Sequence, residues 1–353
     1  MQQILFFTPA LNVGGLERVM LTYATALAKQ EYAVSYAICH DCGMFTSELK
    51  RENIDVVNMQ SDRLRHSIWR LAKTIRDLNP DYLVTANTAT MFAVLAKWLS
   101  GRKTKIITFQ HSYISDNETN TLQSKYIIKL FFRRCYKVIA VSEGIKRLLV
   151  EILRLPASKV STIYNPIDSE RIVTLSSEQT DLPKNYLVFV GRLSPVKNLP
   201  YLLKAFAQYL SIEPAMNLML VGDGIEKNKI DELCRALGVE NNVIRVGDKA
   251  NPYPYIRGAR AVLLPSFSEA LPTILIESLI LGKTVIATPT KGAFEVLRNP
   301  ELGYIVRSFD DVDELCTAIE TALGHPLNPS VLQQESVRYD MAGRVADFKS
   351  LLH

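Results

Sequence analysis

Residues 265–277 read Pro-Ser-Phe-Ser-Glu-Ala-Leu-Pro-Thr-Ile-Leu-Ile-Glu, which sets two carboxylates, Glu269 and Glu277, on either side of a proline. Glu269 falls in a loop after an apolar strand candidate, Ala261–Leu264. Pro272 suits the first turn of a following helix, where a missing N–H costs nothing. The amides of Ala270, Leu271 and Thr273 are then free to hold an anion or a hydroxyl. Glu277 lies about one turn into that helix among Leu275, Ile276, Leu279 and Ile280. A carboxylate in such surroundings needs a partner. A ribose diol is one, and a backbone cap or a nearby Arg or Lys is another.

Cations stand at a second strand end. After Tyr186–Val190 comes Gly191-Arg192-Leu193-Ser194-Pro195-Val196-Lys197-Asn198, then a helix. Arg192 and Lys197 there could neutralise a diphosphate, Arg with directional hydrogen bonds and Lys as a compact charge. Solvated surface cations are the plain alternative. The next strand ends in Gly222-Asp223-Gly224, another turn that allows close backbone approach. Near the start, strand Ile4–Thr8 runs through Pro9 to Gly14-Gly15 before a helix at Leu16 or Glu17. Two adjacent glycine amides suit a phosphate, but the spacing is not that of a dinucleotide fingerprint. Glu17 is a first-turn carboxylate that also complements the helix dipole.

Positioning these loops requires parallel βαβ units, and the chain supplies them. Short runs rich in Val, Ile and Phe alternate with helical periods. Strands are expected at Ile4–Thr8, Ala33–Cys39, Asp55–Met59, Tyr82–Ala86, Lys105–Phe109 and Val138–Val141, with helices between them, the last being Glu143–Leu153. The pattern halts at Asn165-Pro166-Ile167-Asp168, and a polar linker with Ser176, Ser177 and Gln179 runs to Pro183. It restarts with strands at Tyr186–Gly191, Asn217–Val221, Val243–Val246, Ala261–Leu264 and Thr284–Ala287. A final helix is expected near Val331–Leu352. Ligands of such folds sit beyond the carboxyl ends of the strands, which is where the residues above lie.

Composition narrows the class. With 48% hydrophobic and 22% charged residues over 353 positions, disorder is excluded and two domains are expected. No apolar run is long enough to span a bilayer. The start lacks a basic flank and cleavage site, so it reads as a strand rather than a secretion signal. Five scattered cysteines fit a reducing cytoplasm, and Cys39-His40-Asp41-Cys42 lacks the second ligand pair that zinc would need. The net charge of +5 divides unevenly: 22 Lys and Arg stand against 13 Asp and Glu up to Tyr164, and 19 against 23 thereafter. A first half at +9 favours an anionic surface or acceptor, with no recognised nucleic-acid motif. Ser61–Leu78 sets Arg63, Arg65, Arg70, Lys73 and Arg76 beside Trp69, and Tyr126–Tyr136 sets Lys129, Arg133 and Arg134 beside Phe131 and Phe132. Such helices can rest on an anionic membrane or simply cover a sheet. Asp310-Asp311-Val312-Asp313 reads as helix capping rather than a metal site.

Taken together, Glu269-x7-Glu277, Gly191-Arg192-Leu193 with Lys197-Asn198, Gly14-Gly15-x-Glu17 and Asn165-Pro166-Ile167-Asp168 resemble glycosyltransferase family 4, the retaining enzymes of the GT-B fold. The motifs run in the family's order over most of the chain. The resemblance implies an α/β chain of two Rossmann-like doubly wound domains facing each other across a cleft. An acceptor-side domain would span 1–165 and a nucleotide-sugar-binding domain 166–330, with the 331–353 helix packing back on the first. Arg192 and Lys197 would grip the donor diphosphate, with the Gly14 and Gly15 amides closing on it, and Glu277 would take the ribose hydroxyls. Glu269, His111 and the amides of Ala270, Leu271 and Thr273 would engage the donor sugar. The turn at Gly222 and the loop at Asp248 would border the nucleotide, although Asn251-Pro252-Tyr253-Pro254 departs from the commoner pattern. Glu17 is an acceptor-side candidate.

The implied reaction moves a hexose or N-acetylhexosamine, with a UDP-sugar favoured, without metal or other cofactor. Its acceptor would be a glycan, such as a lipid-linked oligosaccharide or a lipopolysaccharide or capsule precursor, at the cytoplasmic face of the inner membrane. Alternatives with the same architecture are a sugar-nucleotide epimerase, a phosphorylase or a non-catalytic sugar-nucleotide-binding subunit. Retaining Arg192, Lys197, Glu269 and Glu277 together speaks against the last.

Overall fold

A computed structural model describes residues 1–11, 15–40, 45–61, 63–113 and 122–352, with only the backbone of 122–125. The chain forms two compact units, Met1–Pro166 with Met341–His353, and Ile167–Asp340.

In the first unit the strands are β1 (Gln2–Thr8), β2 (Tyr32–Ile38), β3 (Asp55–Asn58), β4 (Tyr82–Ala86), β5 (Lys105–Gln110), β6 (Lys137–Ala140) and β7 (Val160–Thr162). The helices between them are α1 (Gly15–Ala28), α2 (Phe45–Arg51), α3 (Ile68–Leu78), α4 (Ala89–Ser100), α5 (Leu122–Arg134) and α6 (Glu143–Arg147). Among the described residues the strands form one sheet of order β3-β2-β1-β4-β5-β6-β7. Its pairings are parallel. The apolar runs noted in the sequence are those of a sheet covered on both faces: all five residues of β4 are buried, as is β1 from Ile4 onward.

The second unit opens with α7 (Ser169–Leu175), so the expected linker is partly helical, capped by the Asp168 carboxylate on the Arg171 amide. There follow β8 (Tyr186–Val190), α8 (Leu199–Tyr209), β9 (Asn217–Val221), α9 (Lys227–Leu237), β10 (Val243–Gly247), α10 (Tyr253–Gly258), β11 (Ala261–Leu264), α11 (Thr273–Ile280), β12 (Val285–Ala287), α12 (Lys291–Val296), β13 (Tyr304–Ile305), α13 (Val312–Gly324) and α14 (Pro329–Ser336). The sheet order is β10-β9-β8-β11-β12-β13. Leu187, Phe189, Leu218, Leu220 and Leu263 of the sheet pack against Leu202 and Phe206 of α8 and Leu315 and Ile319 of α13. Asp311 caps α13, its carboxylate accepting from the Glu314 amide.

Two expected helices are divided. The 143–153 segment is α6 followed by a π-helical turn, Leu148–Ile152. The 331–352 segment is α14, a 3-10 turn at Val337–Tyr339, and then α15 (Met341–Lys349). The break at Asp340 separates units: α14 packs on α11, while α15 belongs to the first unit. There Phe348 is fully buried, its ring 5.0 Å from that of Tyr23 and 5.7 Å from that of Phe109.

In a doubly wound sheet the strand order reverses where two neighbouring strands lead to opposite faces, and the crevice beyond their carboxyl ends takes ligands. That point lies between β1 and β4 in the first sheet and between β8 and β11 in the second. The Gly15 turn follows β1, the Arg192–Lys197 loop follows β8, and the Glu269 loop follows β11.

Candidate functional site

In the second unit the two loops at the switch point are joined. Lys197 Nζ lies 2.6 Å from Glu269 Oε1, with the side chains 20% and 14% exposed, so the pair is largely withdrawn from water. The Phe267 amide also donates to the Val196 carbonyl at 2.8 Å. A side chain from the β8 loop and one from the β11 loop thus converge across the sheet.

The same two loops and the start of α11 also carry hydrogen-bonding groups that no described residue engages. The amides of Ala270, Leu271 and Thr273 donate no hydrogen bond to any described residue. They stand where α11 begins, at the positive end of its dipole. The helix starts at Thr273, and Pro272 is its N-cap, φ −74 and ψ 100. Along α11 every residue is buried except Thr273 and Glu277, which are four apart and share one face. Glu277 is half-buried there and is held by neighbouring residues. Arg192 is exposed and forms no hydrogen bond or ion pair with the described residues. Local structure therefore leaves one guanidinium and three amides available to an anion.

Backbone stitching holds these loops. The Gly191 amide donates to Val221 O at 2.9 Å, Leu193 N to Asp223 O at 2.9 Å, and Glu226 N to Leu193 O at 3.1 Å. Gly222 has φ +139, and a Cβ there would collide with the Gly191 carbonyl oxygen. Its glycine is thus required by the protein's own packing. Asp248 is likewise used internally, its carboxylate accepting from the Asp223 amide at 2.9 Å.

Sequence reasoning missed three supports. Gly292, at the start of α12, donates its amide to Glu269 O at 3.1 Å. Thr288 Oγ1 donates to Ser266 O at 2.5 Å. Asn198, at φ +48, donates its side-chain amide to Phe309 O at 2.7 Å and so fixes the end of the Lys197 turn. Only Asn198, an Asn directly before a helix, left a readable signal.

In the first unit, Gly15 opens α1, and a Cβ there would meet nothing within 4 Å. No packing contact within its unit requires glycine at that position. Glu17 is half-buried in the first turn and is engaged by neighbouring groups. Gly14 and Cys42 lie outside the described residues. The other cysteines, Cys39, Cys135, Cys234 and Cys316, are buried free thiols.

His111 follows β5, its amide donating to Asn87 Oδ1 at 2.8 Å and its ring stacked 5.8 Å from Phe109. Asn87 sits at φ +47 after β4, a conformation that Asn tolerates better than most residues. The His111 Nε2 atom is shut off from solvent without a hydrogen-bond partner among the described residues. Burial pushes the imidazole down to about 3, so it is neutral near pH 7. A neutral ring with an unmatched buried nitrogen is suited to hydrogen bonding with a polar ligand and poorly suited to carrying positive charge. No group of three His, Cys, Asp or Glu able to hold a metal is gathered among the described residues.

Two parallel-sheet units with amides and cations at the carboxyl edges define the GT-B class of nucleotide-sugar enzyme. The model of the family described as "Glycosyltransferase Family 4" matches residues 13–171, and that described as "Glycosyl transferases group 1" matches 174–336. The chain belongs to glycosyltransferase family 4 and has the GT-B fold. It is 26% identical over 337 residues to the N-acetylgalactosamine-N,N'-diacetylbacillosaminyl-diphospho-undecaprenol 4-alpha-N-acetylgalactosaminyltransferase of Campylobacter jejuni, covering 92% of this chain and 90% of that one. A second Campylobacter jejuni relative, named as an alpha-1,4-N-acetyl-D-galactosaminyltransferase acting on a diNAcBac-PP-undecaprenol-linked glycan, is 27% identical, with coverages of 88% and 86%. Among solved structures, HepE of Anabaena in complex with UDP and glucose superposes with a TM-score of 0.85 at 21% identity, covering 100% of this chain and 99% of that one.

Proposed function

We propose that the protein transfers a hexose or N-acetylhexosamine from a UDP-sugar, with retention of configuration and without a metal, to a lipid-linked or polysaccharide acceptor. The carrying observation is the group at the second switch point: the partly buried Lys197–Glu269 pair, the unpaired amides of Ala270, Leu271 and Thr273 that follow Glu269, and the unengaged Arg192 of the Lys197 loop. The nucleotide preference is supported by HepE, whose structure holds UDP. The acceptor class is supported by the undecaprenol-linked substrates in the relatives' names, which also favour the cytoplasmic face of an inner membrane.

The chemistry follows from charge. As the bond from the anomeric carbon to the phosphate oxygen breaks, negative charge grows on the departing diphosphate. Fixed cations and amides aimed at that charge lower the barrier without reorganising. Arg192 and Lys197 take this role, with the amides of Gly14 and Gly15 assigned to the same diphosphate by the family pattern. The acceptor hydroxyl attacks from the face that the diphosphate leaves, and its proton passes to the departing phosphate oxygen. Glu277 takes the ribose hydroxyls. Glu269 and the β11-loop amides hold the sugar, and the neutral His111 ring hydrogen-bonds to it. Glu17 is left as the acceptor-side carboxylate.

A panel of sugar nucleotides screened for protection against thermal unfolding tests this reading, because a ligand of the native state raises its stability by mass action. One UDP-sugar is expected to raise the melting temperature, and Lys197→Ala or Glu277→Ala to remove the shift. Equal protection of both variants and the parent would refute the site.

A further inference from the structure

The turn after β4 carries a side chain that is engaged at one end and idle at the other. Asn87 directly follows β4, one of the two strands that flank the switch point of the first sheet. Its φ of +47 lies in the left-handed region, which glycine adopts more freely than asparagine. A turn that needed only this backbone would be served as well by glycine, so the side chain has a use of its own. Half of that use is visible. Oδ1 accepts the His111 amide at 2.8 Å, and the Asn87 amide donates to the Phe109 carbonyl at 2.8 Å. Just inside α4, the buried Thr90 hydroxyl meets that of Thr108 on β5 at 2.6 Å. An amide N–H can be met only by an acceptor, so the His111 bond fixes which way the Asn87 carboxamide is turned. Nδ2 is therefore the idle end. It donates to no described residue, and it is not sealed from solvent.

We infer that Asn87 Nδ2 donates a hydrogen bond to an oxygen of the sugar carried by the donor nucleotide, so that Asn87 both positions His111 and binds substrate. The inference rests on the transferase reading, in which His111 hydrogen-bonds to that sugar, and adds a second contact from the neighbouring strand. Charge selects the ligand. A diphosphate calls for cations, as at Arg192 and Lys197. An uncharged carboxamide bonded to a residue whose ring is neutral near pH 7 suits sugar hydroxyls or an acetamido carbonyl, which need donors and no counter-charge. The turn is held by its own hydrogen bonds before a ligand arrives, so little ordering is left to the moment of binding.

Two variants separate the two ends of the side chain. Asn87→Asp keeps an oxygen for the His111 amide and tolerates the same backbone, but puts an acceptor where the donors were. Asn87→Gly keeps the backbone and removes both ends. Calorimetric titration without acceptor gives the Kd of UDP, UDP-glucose and UDP-N-acetylgalactosamine for each protein. The sugar nucleotide that the parent binds more tightly is then compared with UDP. The ratio of its Kd to that of UDP is expected to rise about tenfold in Asn87→Asp, and at least as far in Asn87→Gly. Taking the ratio cancels any general weakening of the fold and any repulsion of the diphosphate by the new carboxylate. A ratio in Asn87→Asp equal to the parent's overturns the inference, and a rise confined to Asn87→Gly shows a clamp alone and overturns it too. Lys197→Ala, which should weaken UDP and the sugar nucleotide alike, reports on the transferase reading separately. A parent that binds none of the three nucleotides overturns both.

Discussion

The Lys197–Glu269 pair poses a question of competition, since the cation proposed for the diphosphate is already bonded at 2.6 Å to a carboxylate. Replacing Glu269 with Gln frees Lys197 from its counter-ion, so UDP itself is expected to bind at least as tightly as to the parent while sugar transfer falls. Lys197→Ala weakens UDP and leaves Glu269 unpaired, costing about 1–3 kcal/mol of stability as well. Calorimetric titration of UDP into both variants, alongside turnover, distinguishes the two. If Glu269→Gln loses UDP affinity, the assignment of Glu269 to the sugar is wrong. His111 gives a pH prediction. Its imidazole is held at about 3 against an ordinary 6.5, so the unfolded chain takes up a proton between these values that the native chain refuses. Its stabilisation is complete above pH 6.5 and declines as the pH falls towards 3. A His111→Asn protein should lose less stability over that window, the slopes differing by up to about 1.4 kcal/mol per pH unit. Denaturant titrations at about pH 7, 5.5 and 4.5, running from above the window to near its middle, provide the check.

Turns and elements separate what glycine does for the fold from what it does for a ligand. At Gly222 an added Cβ meets the Gly191 carbonyl at a φ that other residues avoid. Gly222→Ala is therefore expected to cost about 3 kcal/mol or more, seen as a lowered denaturation midpoint. At Gly15 the same addition meets open space at the start of a helix. Gly15→Ala should leave stability unchanged or raise it by up to about 1 kcal/mol while turnover drops. A Gly15→Ala enzyme of parental activity would remove that amide from the donor site.

The same scale shows what the sequence could and could not convey. Tyr82–Ala86, Asn217–Val221 and Ala261–Leu264 were legible to the residue because strands buried on both faces appear as unbroken apolar runs bounded by turn residues. β7 and β13, of three and two residues, are too short to show any period. α7, only seven residues long, was hidden in a stretch that reads as a polar linker. Pro272 marked the start of α11 because its fixed φ suits a helix entry, and at ψ 100 it serves as the cap. Of the candidate site, Arg192, Lys197 and Glu269 were legible as charges at strand ends, and Glu277 as a carboxylate within the following apolar helix. Their supports were not: the Gly292 and Thr288 contacts join loops far apart in sequence, which no local pattern encodes.

For the molecule as a whole, the first unit is completed from both ends of the sequence. Phe348 fills the space between Tyr23 and Phe109, and the Gln2 side chain reaches Leu352 O at 3.3 Å. Phe348→Ala is expected to cost about 3–5 kcal/mol and to act on the first unit. Hydrogen exchange should therefore quicken in β1 and β5 while β8 and β11 keep their protection; uniform quickening of both sheets would contradict the division.

That division also orders events during synthesis. A ribosome has to finish all of Ile167–Asp340 before the residues that seal the first sheet emerge. The nascent amino-terminal half must therefore wait with the Phe348 cavity open, while the intervening unit has everything needed to fold ahead of it. Chaperone dependence should concentrate on that waiting half, and a release factor acting early, at a codon between Asp340 and Phe348, would leave a sound second unit tethered to an unsealed first.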